Sequence, residues 1–515
     1  MSSESTYVAI VLALASVVAL CYMRSPIRTN LPPGPWPIPF AGNIMQFPRR
    51  NIAASLASLS DSYGDIIYMH VFGREFLILN SVVDALELFD RRGSRYSDRP
   101  RSVMAGELVG KNSAVLFHPY GEDLKKHRRL LRTAFEHRRQ AEYWEIQYAV
   151  SYKLIAALLK TPDDFMAHLK RSAAAFTMRV AYGYDVSQGP GEDHFVTLAE
   201  ELARLTAKAS KPGRWLVDSF PMLRYIPAWF PGAGFKRWAR TARIITHEFA
   251  AAPYMYAKNA AIANGISSFV SDTIELIQAE LGHSLSPGDD EFLKWTSASI
   301  YSGGTDTSVA INSSFLLMMA LYPDVQRKAQ AELDSVIGHD RLTRIEDRAC
   351  LPYIEALIKE VHRFRPITPL APHTTVVDDE YRGFRIPKGS WIMANTWAFM
   401  HNAKVFSQPE KFWPERFLPE GAGCTADPRD YSFGYGRRRC PGLSVAESAF
   451  FIAVTHILAV FDISHPTDDH GHTITEPVDF TDEHISHPKP FKCVLKPRSK
   501  ATVDMISQLL SSSSC

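Results

Sequence analysis

Cysteine is scarce in this chain: Cys21, Cys350, Cys424, Cys440, Cys493 and Cys515 are all there are in 515 residues. None forms a C-x-x-C pair or joins a close His/Cys set, so neither a zinc site nor a disulfide framework is indicated. The fold therefore suits a reducing compartment. Charge of one sign is also lacking. The net charge is +2, which provides no global pull toward nucleic acid. No G-x-S-x-G occurs; Gly282-His283-Ser284-Leu285-Ser286 misses the final glycine. No G-x-G-x-x-G opens a helix after a strand, which argues against a self-contained nicotinamide or flavin enzyme. Internal repeats are absent. Asn312-Ser313-Ser314 matches a glycosylation site but falls inside a helical stretch, so it is discounted. What remains, 46% hydrophobic and 22% charged, is the composition of a globular protein with a large core.

One long apolar run is present. Tyr7 to Met23 is free of charge, and as a helix it would span roughly 26 Å, slightly short of a bilayer core. Thr6 and a snorkelling Arg24 extend it. Glu4 precedes the run, while Arg24, Arg28, Arg49 and Arg50 follow it. The positive-inside rule then places the bulk of the chain in the cytosol. A cleaved signal peptide would have a basic n-region, which is missing. Residues 1–24 thus read as a membrane anchor.

Residues 25–48 read as a hinge. Leu31-Pro32-Pro33-Gly34-Pro35-Trp36-Pro37-Ile38-Pro39 cannot be helical, because its prolines impose a stiff extended path. Residues 49–498 read as one domain and 499–515 as a flexible Ser-rich tail ending at Ser511 to Ser514. Ile66–Phe72 and Glu75–Asn80 flank Gly73-Arg74, a hairpin signal. Tyr381–Ile386 and Ser390–Asn395 flank a turn at Pro387-Lys388-Gly389. Most of the rest reads as long helices, so the fold class is mainly α with a small β region.

The most informative stretch is Phe433-Gly434-Tyr435-Gly436-Arg437-Arg438-Arg439-Cys440-Pro441-Gly442. It sets one cysteine in a glycine- and arginine-rich turn just before the apolar run Leu443 to Leu458. A thiolate is stabilised by positive charge and amide donors, and a helix N-terminus provides both N–H groups and a positive dipole end. Glycines admit a flat group close to the backbone. Arginines bind carboxylates. Thiolate, flat face and carboxylate partners together describe a haem seat.

Here the chain resembles the cytochrome P-450 family of haem-thiolate monooxygenases. Phe433, Gly436, Arg438, Cys440 and Gly442 fill the fixed offsets of its motif. The resemblance implies a P-450 fold, Cys440 as axial iron ligand, Arg438 on a haem propionate and Phe433 packed beside the Cys–haem junction. The cofactor implied is haem b, with O2 and NADPH-derived electrons as co-substrates.

Glu291 to Tyr322 reads as one long helix ending at Pro323. Its middle holds Gly303-Gly304-Thr305-Asp306-Thr307-Ser308. Two glycines weaken a helix by about 1 kcal/mol each, and hydroxyls can draw carbonyls from the ladder. The segment is similar to the family's acid–alcohol pair. That match implies that Thr307 orients the oxygen ligand, that Asp306 relays protons, and that Gly303 and Gly304 leave room above the haem.

Glu360 and Arg363 share a helix face at i and i+3, and Pro414-Glu415-Arg416-Phe417 follows. The resemblance joins Glu360, Arg363 and Arg416 in a buried structural triad beneath the cysteine loop. By the same match His373 and Arg128 face the propionates. The family's tryptophan one turn before that arginine is Leu124 in this chain, which removes one indole donor.

Lys125, Lys126, Arg128, Arg129 and Arg132, with Arg437 and Arg439, offer a basic face for an acidic electron donor. The resemblance implies an NADPH-dependent flavoprotein reductase, with cytochrome b5 as a further donor, and the cytosolic face of the endoplasmic reticulum membrane. The implied substrate lining is Leu116, Phe117, Ile300, Ser302, Gly303, Ile367 to Leu370, and Ile485, largely apolar. The stretch Asp218-Ser219-Phe220-Pro221 through Pro227-Ala228-Trp229-Phe230-Pro231-Gly232 resembles basidiomycete secondary-metabolism members, which favours a terpenoid over a polyketide or aromatic. A haem-thiolate isomerase or dehydratase acting on a peroxide, and a non-catalytic haem sensor, are the alternatives. Asp306 and Thr307 argue against both.

Overall fold

A computed structural model describes residues 30–512 apart from 40, 137–138, 188–192, 265, 282–283, 422–423 and 467–477. The expected anchor, Tyr7 to Met23, lies outside the described residues. The chain divides into two compact units. The smaller comprises the chain up to Pro100, Leu370–Phe399 and Tyr435–Arg437; the larger comprises Arg101–Pro369, Met400–Gly434 and Arg438 onward.

The smaller unit is built on a four-stranded sheet. After helix α1 (Ile52–Ser58), strands β1 (Ile66–Val71) and β2 (Arg74–Leu79) form an antiparallel hairpin, with Ile66 opposite Leu79. The turn is Phe72-Gly73, one residue earlier than expected. Both residues have positive φ, 45° and 79°, the combination whose twist matches flanking strands. Strand β3 (Leu370–Thr374) comes next, then a hairpin of β4 (Asp379–Tyr381) and β5 (Phe384–Ile386), then β6 (Trp391–Asn395). The sheet order is β1-β2-β6-β3, with β2 parallel to β6. The Pro387 to Gly389 turn exists, with Ser390 N–H donating to the Pro387 carbonyl at 3.1 Å. Leu56, Ile67, Met69 and Ile78 form the buried core of this unit. Leu31 to Pro37 is free of helix, as its prolines require. It lies along β1, where Tyr68 N–H donates to the Pro33 carbonyl at 2.9 Å. Only glycine fits at 34, since a Cβ there would sit 1.9 Å from the Tyr68 carbonyl oxygen.

The larger unit is helical. Its chain runs through α2 (Glu122–Ala134), α3 (Gln140–Lys160), α4 (Phe165–Tyr182), α5 (His194–Ser210), α6 (Gly234–Asn264), α7 (Phe269–Leu281), α8 (Pro287–Leu321), α9 (Pro323–Val336), α10 (Pro352–Phe364) and α11 (Leu443–Val460). A short hairpin of β7 (Phe461–Ser464) and β8 (Val494–Pro497) and helix α12 (Lys500–Ser512) close it. Helix α8 starts four residues before the expected Glu291. The Ser286 hydroxyl accepts from Asp289 N–H, Pro287 occupies the first turn, and Asp289 and Asp290 face the dipole. Its C-terminal half packs with α3, α10 and α11 through Phe315, Leu316, Ile155, Leu357 and Phe451. Its N-terminal half packs with α4 and α6, the Phe249 and Tyr301 rings stacking at 4.9 Å.

Residues 500–512, expected to be part of a flexible tail, form α12 instead. Met505, Ile506, Leu509 and Leu510 give that helix an apolar stripe, and Ile506 is buried in the core. Among the described residues one helix, α11, is long and apolar enough to cross a membrane. It is 72% buried and serves as a core helix.

Candidate active site

The cysteine loop is closed by its own backbone, with Cys440 N–H donating to the Phe433 carbonyl at 2.8 Å. Gly434, with φ of 75°, supplies the left-handed bend this requires. Helix α11 begins directly after Gly442. The Cys440 side chain reaches open space although protein surrounds it closely. Burial pushes its thiol up, against the Gly442 amide and the Arg128 guanidinium, which favour the thiolate. Arg128 is fixed by a bond from Nη2 to the Arg439 carbonyl at 2.8 Å. Arg438 is buried and donates to the carbonyls of Val115 (3.3 Å) and His118 (2.7 Å). Leu124, at the position where a tryptophan was expected, is buried in the core. Gly436 and His373 belong to the smaller unit. There a Cβ on Gly436 would meet the Phe89 carbonyl at 2.1 Å, while His373 Nδ1 pairs with the Tyr96 carbonyl at 2.8 Å.

The middle turn of α8 is partly accessible, with Gly303 exposed and Tyr301 and Val309 buried on either side. The two glycines differ. Gly303 faces open space, whereas a Cβ on Gly304 would lie 2.5 Å from Thr177 Cγ2 of α4. The space beside Gly303 is open, whereas Gly304 permits close helix packing. The Thr307 hydroxyl donates to the Gly303 carbonyl at 2.7 Å. Asp306 Oδ1 lies 3.1 Å from His487 Nε2.

Glu360, Arg363 and Arg416 lie together, all fully buried. Arg363 grips Glu360 with two bonds of 2.8 and 2.9 Å, and Arg416 Nε donates to the same carboxylate at 3.0 Å. Trp413 N–H adds a fourth bond at 2.7 Å. The remaining guanidinium protons go to the carbonyls of Met400, Ser407, Gln408 and Lys411. One carboxylate thus faces two guanidiniums, and the remaining donors in the cluster are hydrogen-bonded to backbone carbonyls, which lowers the cost of burying it.

A second buried network escaped the sequence reading because no motif marks it. Glu447 on α11 lies 3.0 Å from His362, 2.8 Å from Arg429 and 3.3 Å from Arg348. Burial works to raise the Glu447 carboxyl, but His362 and then Arg429 hold it down at about 2. The expected basic face is smaller than its sequence. Lys125 pairs with Glu122 and Lys126 with Asp289, while Arg128 is only partly exposed; Lys125, Lys126, Arg129 and Arg132 are the exposed cations of that run. Among the expected lining residues, Ile300 is buried within the α4–α6–α8 core, Leu116 is exposed, and Leu370 belongs to the smaller unit.

Lys111 was also missed. It is buried, donates to the Thr206 hydroxyl, and lies 5.7 Å from the Phe117 ring. Burial pushes its amine down to about 7, against the pull of Asp306. A lysine whose folded pKa lies below its unfolded value binds fewer protons in the folded state. Stability should therefore rise with pH from about 7 to about 10, by about 1.4 kcal/mol per unit at most. Urea unfolding at both ends of that window should show the rise in the wild type and its loss in Lys111→Met. An unchanged slope in the variant would remove Lys111 as its source.

Residues 32–494 match the sequence profile described as Cytochrome P450. The chain is 39% identical to Cytochrome P450 monooxygenase claR of Ampulloclitocybe clavipes, over 93% of this chain and 88% of that one. It is 38% identical to Cytochrome P450 monooxygenase 208 of Postia placenta, over 95% of each. It is 34% identical to Tryptamine 4-monooxygenase of Psilocybe cyanescens, over 96% of this chain and 98% of that one. A helical fold with small sheets, a cysteine loop leading into a core helix, and matches along nearly the whole length agree with one another. The chain belongs to the cytochrome P450 family of monooxygenase enzymes, whose cofactor is a thiolate-ligated haem.

Proposed function

We propose that this chain is a membrane-anchored haem-thiolate monooxygenase that hydroxylates or oxidises an apolar small molecule, with a fungal terpenoid favoured over a polyketide or aromatic. The observation that carries the reading is the Cys440 sulfur. Cys440 is an exposed residue directly before α11; burial raises its thiol, and the Gly442 amide and the Arg128 guanidinium work against that. The surroundings fit the cofactor: a soft thiolate donor suits iron, and the open space over Gly303 has no side chain to fill it.

Bound there, haem supplies dioxygen activation, with electrons from NADPH delivered by a flavoprotein reductase. Cys440 would hold the iron through its sulfur, which the Gly442 amide would steady. Phe433 and Gly436 shape the loop. Arg438, Arg128 and His373 are the partners for the propionates. Glu360, Arg363 and Arg416 hold the loop's foundation and do no chemistry. On α8, Asp306 takes protons from solvent and Thr307 presents them, its hydroxyl leaving the Gly303 carbonyl to do so. A peroxide isomerase or a haem sensor has no use for that acid and alcohol, so neither is favoured.

The deciding experiment is the carbon monoxide difference spectrum of the reduced protein. A strongly red-shifted Soret band supports the thiolate assignment, and no haem band from folded protein rejects it. Thr307→Ala is expected to keep that band while diverting severalfold more NADPH to peroxide. Unchanged peroxide per NADPH would remove Thr307 from the proton route.

A further inference from the structure

Asp306 is met by a side chain that no motif marks. His487 Nε2 stands 3.1 Å from Asp306 Oδ1, with only 22% and 31% of the two side chains exposed. An exposed ion pair on mobile side chains would mean little, but this histidine is delivered by a fixed backbone. His487 N–H donates to the Thr481 hydroxyl at 3.1 Å, and the His487 carbonyl accepts from Thr481 N–H at 2.9 Å. The Ser486 hydroxyl donates to the Thr481 carbonyl at 3.0 Å, and a bridge between Phe480 and Pro488 closes the loop. Ser486 N–H then pins the loop to the Ile367 carbonyl at 2.7 Å. Lys111, buried on another segment, feels the charge of Asp306, which works against the lowering of its amine by burial. The carboxylate is thus met by an imidazole delivered from a separate segment.

We infer that His487 is the positioning residue for Asp306, committing one carboxylate oxygen to the imidazole and leaving the other for proton transfer toward Thr307. A group that must accept and release a proton works within hydrogen-bond reach of its partner, and a swinging carboxylate spends little time there. The inference rests on Asp306 being the proton-carrying acid.

The test uses full-length haem-loaded protein reconstituted with an NADPH-dependent flavoprotein reductase, without added substrate. The variants are H487L, H487Q, D306N and H487L/D306N. Two quantities are read: peroxide released per NADPH consumed, and the C–O stretching frequency of the reduced carbon monoxide complex, which senses nearby polar groups. H487L should raise peroxide release about threefold or more and shift the C–O stretch in the same direction as D306N. H487Q, which keeps an N–H donor, should recover at least half of each change. Adding H487L to D306N should change nothing further, because both act through one carboxylate. Wild-type values in H487L and H487Q, or effects that simply add in the double variant, would overturn the inference while the haem-thiolate reading stands. A wild-type carbon monoxide band at the ordinary haem position, or an inert D306N, would overturn the underlying reading and this inference with it.

Discussion

Cys440→Ala is expected to abolish the red-shifted carbon monoxide band and all turnover while the chain still folds. The loop does not depend on the sulfur for its shape. Its closing bond runs from the Cys440 backbone N–H to the Phe433 carbonyl, and Gly434 makes the bend. Alanine keeps both. What is lost is the thiolate, the electron donor that favours O–O cleavage. Any haem retained would absorb at the ordinary position. Spectrum, haem content and a thermal melt on one preparation separate the outcomes. A red-shifted band or product formation in the variant would end the axial assignment.

Glu360→Gln is expected to cost about 3–5 kcal/mol of stability and to lower haem content. Glu360 is the one anion bonded to both guanidiniums, and all three residues are fully buried. The amide is nearly the same size, so packing hardly changes. It cannot balance Arg363 and Arg416, whose carbonyl partners share their hydrogen bonds without cancelling their charge. Asp324→Asn is the comparison. It breaks an ion pair with Arg327 that is 70% and 79% exposed, and should stay within about 0.5 kcal/mol of wild type. Urea unfolding of the two variants side by side makes the measurement. A Glu360→Gln loss below about 1 kcal/mol would mean that the cluster is not a foundation of the fold.

The parts of the site that were legible in the sequence are those whose chemistry is written in short spacings. Phe433 to Gly442 reads directly because a thiolate, its bend and its helix are contiguous. Glu360 and Arg363 lie on one helix face, and family resemblance joined them to Arg416. The long helix through Gly303 was visible from its acidic start and from Pro323 at its end, but its start was misplaced, since Ser286 caps it and Pro287 opens it before Glu291. His487, Lys111 and Glu447 were invisible for a different reason. Their meaning comes from contacts between distant segments, and each looks unremarkable among its sequence neighbours. The β4–β5 hairpin was missed because its strands are three residues long, although Arg382-Gly383 carries the turn signal, with φ of 52° and 77°. The two units left no trace in composition because each is assembled from separate stretches of chain, with no linker between them.

The unlike surroundings of Gly303 and Gly304 bear on how such an enzyme changes over generations. A methyl at 304 collides with Thr177 and taxes the fold. A methyl at 303 meets nothing within 4 Å, and in mid-helix it removes a penalty of about 1 kcal/mol. One position is locked by its neighbour. The other is open to a side chain at no cost to stability, and under the proposed function selection for a smaller or differently shaped substrate would have a route there.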